Sequence, residues 1–187
     1  MTAILAVLEQ RQGVLRKVSL EVLAAARKIA DGVGATVDAA VIGAGAVTGT
    51  DGLGAAGADR VLQASHPDFG LYQPDGYAAT IASVGTSYQA IVFAATATGR
   101  DLAPRVAAKL GVGCVTDVTE LSVDGGKVAA VRPIYAGKAL QRVTVSSTPA
   151  VVSIRPNTFA PVSLGKAGTA APLAVPAFTK RVTVTEV

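Results

Sequence analysis

One stretch, residues 91–120, constrains the fold of this chain more than any other, and it reads IVFAATATGRDLAPRVAAKLGVGCVTDVTE. The apolar run at residues 91–94 is too short for a buried helix, and a threonine-rich turn follows it. Leu102, Val106 and Leu110 then recur every four residues, which is the spacing of one apolar helix face. After two glycines a new β-branched run begins. The stretch therefore predicts a β-α-β unit.

Proline and glycine positions predict the limits of this helix. Pro104 is best tolerated in a first turn, so we expect the helix to start within residues 100–103. Gly99 is predicted to set the turn before it, and a positive φ would make a glycine necessary there. Gly111 and Gly113 are expected to end the helix.

The preceding residues predict a parallel sheet. Residues 3–8 form a continuous apolar run, as in strands buried on both faces. Ser19 is predicted to cap a helix and residues 36–42 to form the next strand, which together give a right-handed β-α-β crossover. A third strand is predicted at residues 60–63 and a second helix at residues 74–84.

Strands without helices follow the 91–120 stretch. A D-G turn at residues 124–126 predicts a hairpin, and Gly137 and the Thr148-Pro149 pair predict two further reversals. The predicted strands are residues 118–123, 128–134, 140–146 and 151–155. The expected fold class is α/β, a Rossmann-like three-layer domain whose parallel sheet of about five strands is finished by an antiparallel β-meander. A connector at residues 156–177 and a last strand at residues 182–187 complete the prediction.

Composition excludes several function classes. The sequence is 50% hydrophobic and 16% charged, but its longest uncharged segment, residues 76–99, contains enough polar residues to favour helix, turn and strand over a membrane span. The N-terminus lacks the features of a signal peptide, so we expect a cytoplasmic, bacterial protein without membrane insertion. The net charge of +4 is scattered, which disfavours nucleic acid as a partner. Cys114 is the only cysteine, so no internal disulfide is expected.

No catalytic or metal-binding residue is predicted. Residues 52–57, GLGAAG, match the dinucleotide-binding pattern, but no strand leads into them and a strand follows them, so we interpret them as a helix end. His66 is the only histidine and has no second ligand or nucleophile beside it, which favours a surface residue.

The ends of two predicted parallel strands form the one candidate pocket, at the point where the strand order reverses. Residues 9–10 follow the first strand, and Thr96, Thr98, Gly99 and Arg100 follow the strand at residues 91–94. One interpretation is that the next helix presents its positive end to an anion. The other, which we favour, is that Thr98 caps the helix and that Arg100 pairs with Asp101 in solvent.

Three runs resemble the N-terminal domain of the electron transfer flavoprotein alpha subunit. They are ATATGRDLAPRVAAKLGVGCVTDVTEL, RPIYAGKALQRV and VSIRPNTFAPV. The resemblance covers residues 1–162 and implies an adenine nucleotide alpha hydrolase-like domain whose own nucleotide site is vacant. Residues 163–187 are then expected to be a linker and terminal strand leading toward a C-terminal FAD-binding domain that lies outside this chain.

The resemblance also implies a function. The family is a heterodimeric electron carrier, not an enzyme, in which FAD passes electrons from acyl-CoA and related dehydrogenases of fatty acid β-oxidation to a quinone reductase. The beta subunit is the implied partner. No flavin-contacting motif maps onto this chain, so the chain by itself is not expected to bind FAD. The alternative is a stand-alone adenine-nucleotide-binding module of the universal-stress type.

An apolar cluster at a predicted strand end is the candidate subunit interface. Pro133, Ile134 and Tyr135 follow Arg132 and lie beside the Gly137 turn. They are either a contact surface or an ordinary edge in which Ile134 faces inward and Tyr135 faces solvent. The resemblance favours contact, because the beta subunit must bind somewhere on this domain.

Overall fold

The computed structural model describes residues 2–184 as three helices, a short 3-10 helix and twelve strands. The helices are α1 (Val18–Val33), α2 (Pro74–Gly85), α3 (Ala97–Leu110) and the 3-10 helix Pro67–Gly70. The strands are β1 (Ala3–Val7), β2 (Gln10–Arg11), β3 (Val14–Leu15), β4 (Thr36–Gly43), β5 (Arg60–Ser65), β6 (Ala90–Ala94), β7 (Cys114–Val118), β8 (Glu120–Asp124), β9 (Lys127–Ile134), β10 (Ala139–Thr144), β11 (Ala150–Ile154) and β12 (Thr169–Pro172).

A seven-stranded parallel sheet in the order β12-β5-β4-β1-β6-β11-β7 forms the middle layer. Its alternating side chains supply two apolar cores, because successive residues of a strand face opposite sides. One core joins the sheet to α1 and to the antiparallel sheet β10-β9-β8. The other joins it to α2 and α3. The predicted three-layer α/β class is confirmed. Within residues 2–184, no helix combines the length and apolarity needed to cross a bilayer.

Strand β11 corrects the predicted end of the meander. Residues 151–155 are predicted to be a fourth antiparallel strand, but β11 instead lies between β6 and β7 and is parallel to both. All five residues of β11 are buried, as expected of a central strand with both faces covered and not of a strand at the edge of a meander. The parallel sheet therefore has seven strands, and the antiparallel strands form the three-stranded sheet β10-β9-β8 and the separate β2–β3 hairpin.

The start of α1 also differs from the prediction. The helix begins at Val18, and Lys17 at its N-cap makes no side-chain cap. Ser19 lies inside the first turn, where its hydroxyl donates to the carbonyl of Glu9 at 2.9 Å and accepts from the Glu9 amide at 3.0 Å. Ser19 therefore ties the helix to the end of β1. The helix ends at Val33, and Gly34 follows it with φ of 66°, in the left-handed region that favours glycine.

Helix α3 begins three residues before the predicted range. The Thr96 hydroxyl caps it by accepting from the Gly99 amide at 3.1 Å, so Pro104 lies in the interior of the helix. Gly99 is not among the residues with positive φ. Its requirement for glycine is steric instead, since a Cβ there would lie 1.7 Å from the Ala94 carbonyl oxygen. Because Thr96 caps the helix before the predicted range, Pro104 leaves one interior hydrogen bond unmade, the one to the carbonyl of Arg100.

The segment after β11 folds back across the domain. The predicted connector contains β12, which pairs in parallel with β5 at the sheet edge. Phe178 then stacks on Phe69, with ring centroids 5.8 Å apart. Of the strand predicted at residues 182–187, residues 182–184 are not in a strand and the rest lie outside the described residues.

Candidate functional site

A pocket of about 340 Å³ lies at the carboxyl ends of β1 and β6, where the strand order reverses. It lies on the α2–α3 side of the sheet and is bordered by the β2–β3 hairpin. Its lining is Val7, Leu8, Glu9, Gln10, Arg11, Gln12, Arg16, Gly70, Leu71, Tyr72, Tyr77, Phe93, Ala94, Ala97, Thr98, Gly99 and Leu102. Both the position and the volume are typical of ligand sites in open α/β sheets.

The Glu9 carboxylate lies where this pocket meets the N-terminus of α3. One of its oxygens accepts from the Thr96 hydroxyl, and the other accepts from Arg16 at 2.8 Å. Burial raises the pKa of Glu9, while the hydrogen bonds from Thr96 and Arg16 act in the opposite direction. Because Thr96 is also the cap of α3, the carboxylate lies at the positive helix end where a phosphate would otherwise bind.

Two tyrosines form the opposite wall. Tyr77 donates to the Ile42 carbonyl at 3.2 Å and accepts from Gln10 at 3.3 Å. Tyr72 packs edge-on against Tyr77 and donates to the Asp101 carboxylate at 2.7 Å. Burial raises the pKa of both phenols, so they serve here as neutral hydrogen-bonding and apolar surface.

The structure brings some of the predicted switch-point residues into the pocket and leaves others outside it. Thr98 and Gly99 line the pocket, as does Glu9, but Arg100 does not. Arg100 points instead toward Asp117, with the nearest nitrogen and oxygen 3.9 Å apart. The expected cap at Thr98 is wrong, because Thr96 supplies it. The two tyrosines are not among the predicted site residues, because no periodic signal in the sequence relates them to the ends of β1 and β6.

Neither of the other sequence motifs forms a site. Residues 52–57 are turns and not the predicted helix end, and Gly54 is packed so tightly that a Cβ would lie 2.0 Å from the Gly168 amide nitrogen. His66 is half-buried and contacts Phe69 and Phe178, with its Nδ1 accepting from the Asp68 amide. Among residues 2–184, no group of three or more histidine, cysteine, aspartate or glutamate side chains is arranged to hold a metal.

The predicted interface residues lie at the tip of the β9–β10 hairpin. Pro133 and Ile134 end β9 and are half-buried, whereas Tyr135 is 77% exposed in the turn. Leu140 pairs with Pro133 across the hairpin and is 68% exposed. Tyr135 has φ of 50°, in the left-handed region that large side chains rarely adopt. The tip therefore presents an aromatic and an aliphatic side chain to solvent.

Comparison with known proteins identifies the family. A sequence model described as the electron transfer flavoprotein domain matches residues 4–180. The chain belongs to the electron transfer flavoprotein family. The resemblance carried by the three sequence runs is therefore confirmed.

Two of the following three relatives of this electron transfer flavoprotein chain are named as electron-transfer subunits. It is 39% identical over 152 residues to electron transfer flavoprotein subunit alpha of Bacillus subtilis (strain 168), covering 80% of this chain and 46% of that protein. It is 37% identical over 160 residues to Protein FixB of Clostridium saccharobutylicum, covering 83% and 48%. It is 36% identical over 121 residues to acryloyl-CoA reductase electron transfer subunit beta of Anaerotignum propionicum, covering 64% and 33%. The chain spans about half the length of the first two relatives.

Proposed function

We propose that this chain is the N-terminal domain of the alpha subunit of a heterodimeric electron transfer flavoprotein. FAD held elsewhere in that complex accepts electrons from acyl-CoA and related dehydrogenases and passes them to a quinone reductase. The domain binds the beta subunit and supports the flavin-binding part, so it is a component of a carrier and not an enzyme. The family match over residues 4–180 carries this proposal, and the relatives named subunit alpha support it.

The chemistry of the switch-point pocket supports this function over a nucleotide-binding module. A nucleotide phosphate binds well where helix amides are free and no negative charge is near. Here the Thr96 hydroxyl already accepts from the Gly99 amide, and the Glu9 carboxylate is hydrogen-bonded to the same hydroxyl. The position where a phosphate would bind is therefore already occupied by the Glu9 carboxylate, whose second oxygen pairs with Arg16 at 2.8 Å.

The tip of the β9–β10 hairpin is the surface we assign to the beta subunit. A stable heterodimer buries about 1,200–2,000 Å² in total, and its strongest contacts are commonly exposed aromatic side chains such as Tyr135. Tyr135 and Ala136 both have positive φ, which is the geometry of a tight hairpin turn, so the turn holds the tyrosine side chain at the tip of the hairpin.

A Tyr135→Asp substitution tests the surface. Aspartate tolerates the left-handed region better than tyrosine, and the position is exposed, so the isolated domain should keep its stability. Capture of the beta subunit should fall by about tenfold or more, because an unpaired carboxylate would enter a desolvated contact. The measurement is the affinity of the purified 187-residue chain for its beta subunit.

Leu164→Asp is the matched control. Leu164 is 48% exposed and lies beside Ala55, on a different element from the hairpin. The Leu164→Asp substitution places the same charge at another exposed apolar position and should leave capture of the beta subunit unchanged. Equal capture by the Tyr135 variant would move the interface elsewhere, and failure of the unsubstituted chain to capture the beta subunit would contradict the proposed function itself.

A further inference from the structure

Three arginines converge on one aspartate at the carboxyl edge of the sheet. Arg100 comes from the first turn of α3, Arg132 from the end of β9 and Arg155 from the residue after β11. Asp117 of β7 lies among them, and we refer to these four residues as the arginine cluster. Because all the parallel strands end at this edge, the cluster and the switch-point pocket face the same side of the domain.

Arg155 and Asp117 form the fixed part of the cluster. Two guanidinium nitrogens of Arg155 donate to the two Asp117 oxygens at 3.0 and 2.6 Å, and the Arg155 amide donates to the Val118 carbonyl. Asp117 has φ of 61°, and the register of β11 against β7 shifts at the same level. The hydrogen bonds from Arg155 lower the pKa of Asp117, and the charges of Arg100 and Arg132 act in the same direction.

The remaining two arginines are not neutralised within residues 2–184. The Arg100 side chain is 64% exposed, its guanidinium forms no hydrogen bond there, and it reaches Asp117 only at 3.9 Å. Arg132 forms no ion pair, its contact with Thr116 is long at 3.3 Å, and its Nε is buried without a hydrogen-bond partner. Three guanidinium groups around one carboxylate leave two positive charges in excess. Because the Nε of Arg132 is buried, only the other guanidinium nitrogens of this side chain can meet an acceptor from outside the domain.

We propose that Arg100 and Arg132 bind acidic side chains of the beta subunit, with Arg155 and Asp117 holding the site in place. This proposal rests on the proposed function and adds a charged contact to the apolar one at the hairpin tip. Arg132 and Ile134 lie on the same face of β9, because alternate residues of a strand point to the same side, so the cluster borders the end of the hairpin. The planar guanidinium fork matches a carboxylate in bidentate geometry, and the excess of positive charge selects an acidic partner surface.

Salt dependence of binding provides the test. The chain and its Arg100→Gln, Arg132→Gln and doubly substituted variants are titrated with the beta subunit at low and at high salt. The double variant should bind about tenfold or more weakly at low salt, with a flatter salt dependence, because it forms fewer charge pairs. Arg100→Gln alone should weaken binding and flatten the salt dependence by a smaller amount. This variant should fold normally, because the Arg100 side chain is exposed.

Lys109→Gln is the matched control, since Lys109 is exposed at the opposite end of the same helix. It removes one positive charge from the chain and should leave both affinity and salt dependence unchanged. Equal affinity and equal salt dependence for the chain and the double variant would overturn the proposal while leaving the proposed function intact. Absence of binding by the unsubstituted chain would overturn both.

Discussion

At the residue scale, Gly99 shows how one missing side chain fixes the packing of a helix on a strand. A Cβ at this position would lie 1.7 Å from the Ala94 carbonyl oxygen, which belongs to the rigid end of β6. Gly99→Ala should therefore lower the free energy of unfolding by about 2–4 kcal/mol, measured by urea denaturation. Gly113→Ala is the control, because that glycine has open space around its Cβ position. Similar unfolding midpoints for both variants would show that α3 can shift away from β6 without cost.

At the element scale, the chain after β12 is held by contacts with several different elements. Lys180 pairs with Asp68 at 2.8 Å, Arg181 pairs with Asp75 at 2.6 Å, and Phe178 stacks on Phe69. Phe178→Ala should remove the apolar part of this attachment and cost about 1–3 kcal/mol, since Phe178 is only partly buried. Hydrogen exchange should accelerate at the Arg181 amide, which donates to Asp75, while the β1 and β6 amides stay protected.

The matched control for the terminal segment is Phe159→Ala. Phe159 is also partly buried, but it packs against the core on the α1 side of the sheet. Its loss should leave exchange at Arg181 unchanged. Uniform acceleration throughout the domain in the Phe178 variant would mean that the segment does not open independently of the core.

The elements also show what the sequence alone can predict. The alternation of apolar runs and helical spacing correctly predicts β1, α1, β4, α2, β6 and α3, because these neighbours in sequence are neighbours in space. The position of β11 does not follow from such a pattern, since its partners are set by the packing of the whole sheet. The arginine cluster is hidden for the same reason. Its members come from four elements separated along the chain, and only the folded sheet brings them together.

At the scale of the whole molecule, the carboxyl edge of the sheet combines two regions with different arrangements of charge. In the switch-point pocket the Glu9 carboxylate is paired with Arg16 and lies at the first turn of α3, whereas the arginine cluster carries excess positive charge. The helix end that would ordinarily bind a phosphate is therefore already occupied by a carboxylate, and an approaching anion is attracted to the arginine cluster instead. This distribution of charge favours a role in which the edge contacts another subunit over one in which it holds a nucleotide.

Nucleotide binding by the whole domain can be measured as a thermal shift with AMP. A site occupied at about 100 times its Kd would add about 2.7 kcal/mol, which raises Tm by about 5–10 °C for a chain of this size. We expect a shift below about 1 °C for the unsubstituted chain, because the Glu9 carboxylate lies beside the first turn of α3. Glu9→Gln removes this charge while keeping the side-chain shape, so AMP should raise the Tm of that variant more than that of the unsubstituted chain. A shift of several degrees in the unsubstituted chain would show that the carboxylate does not exclude phosphate. The pocket would then be a nucleotide-binding site.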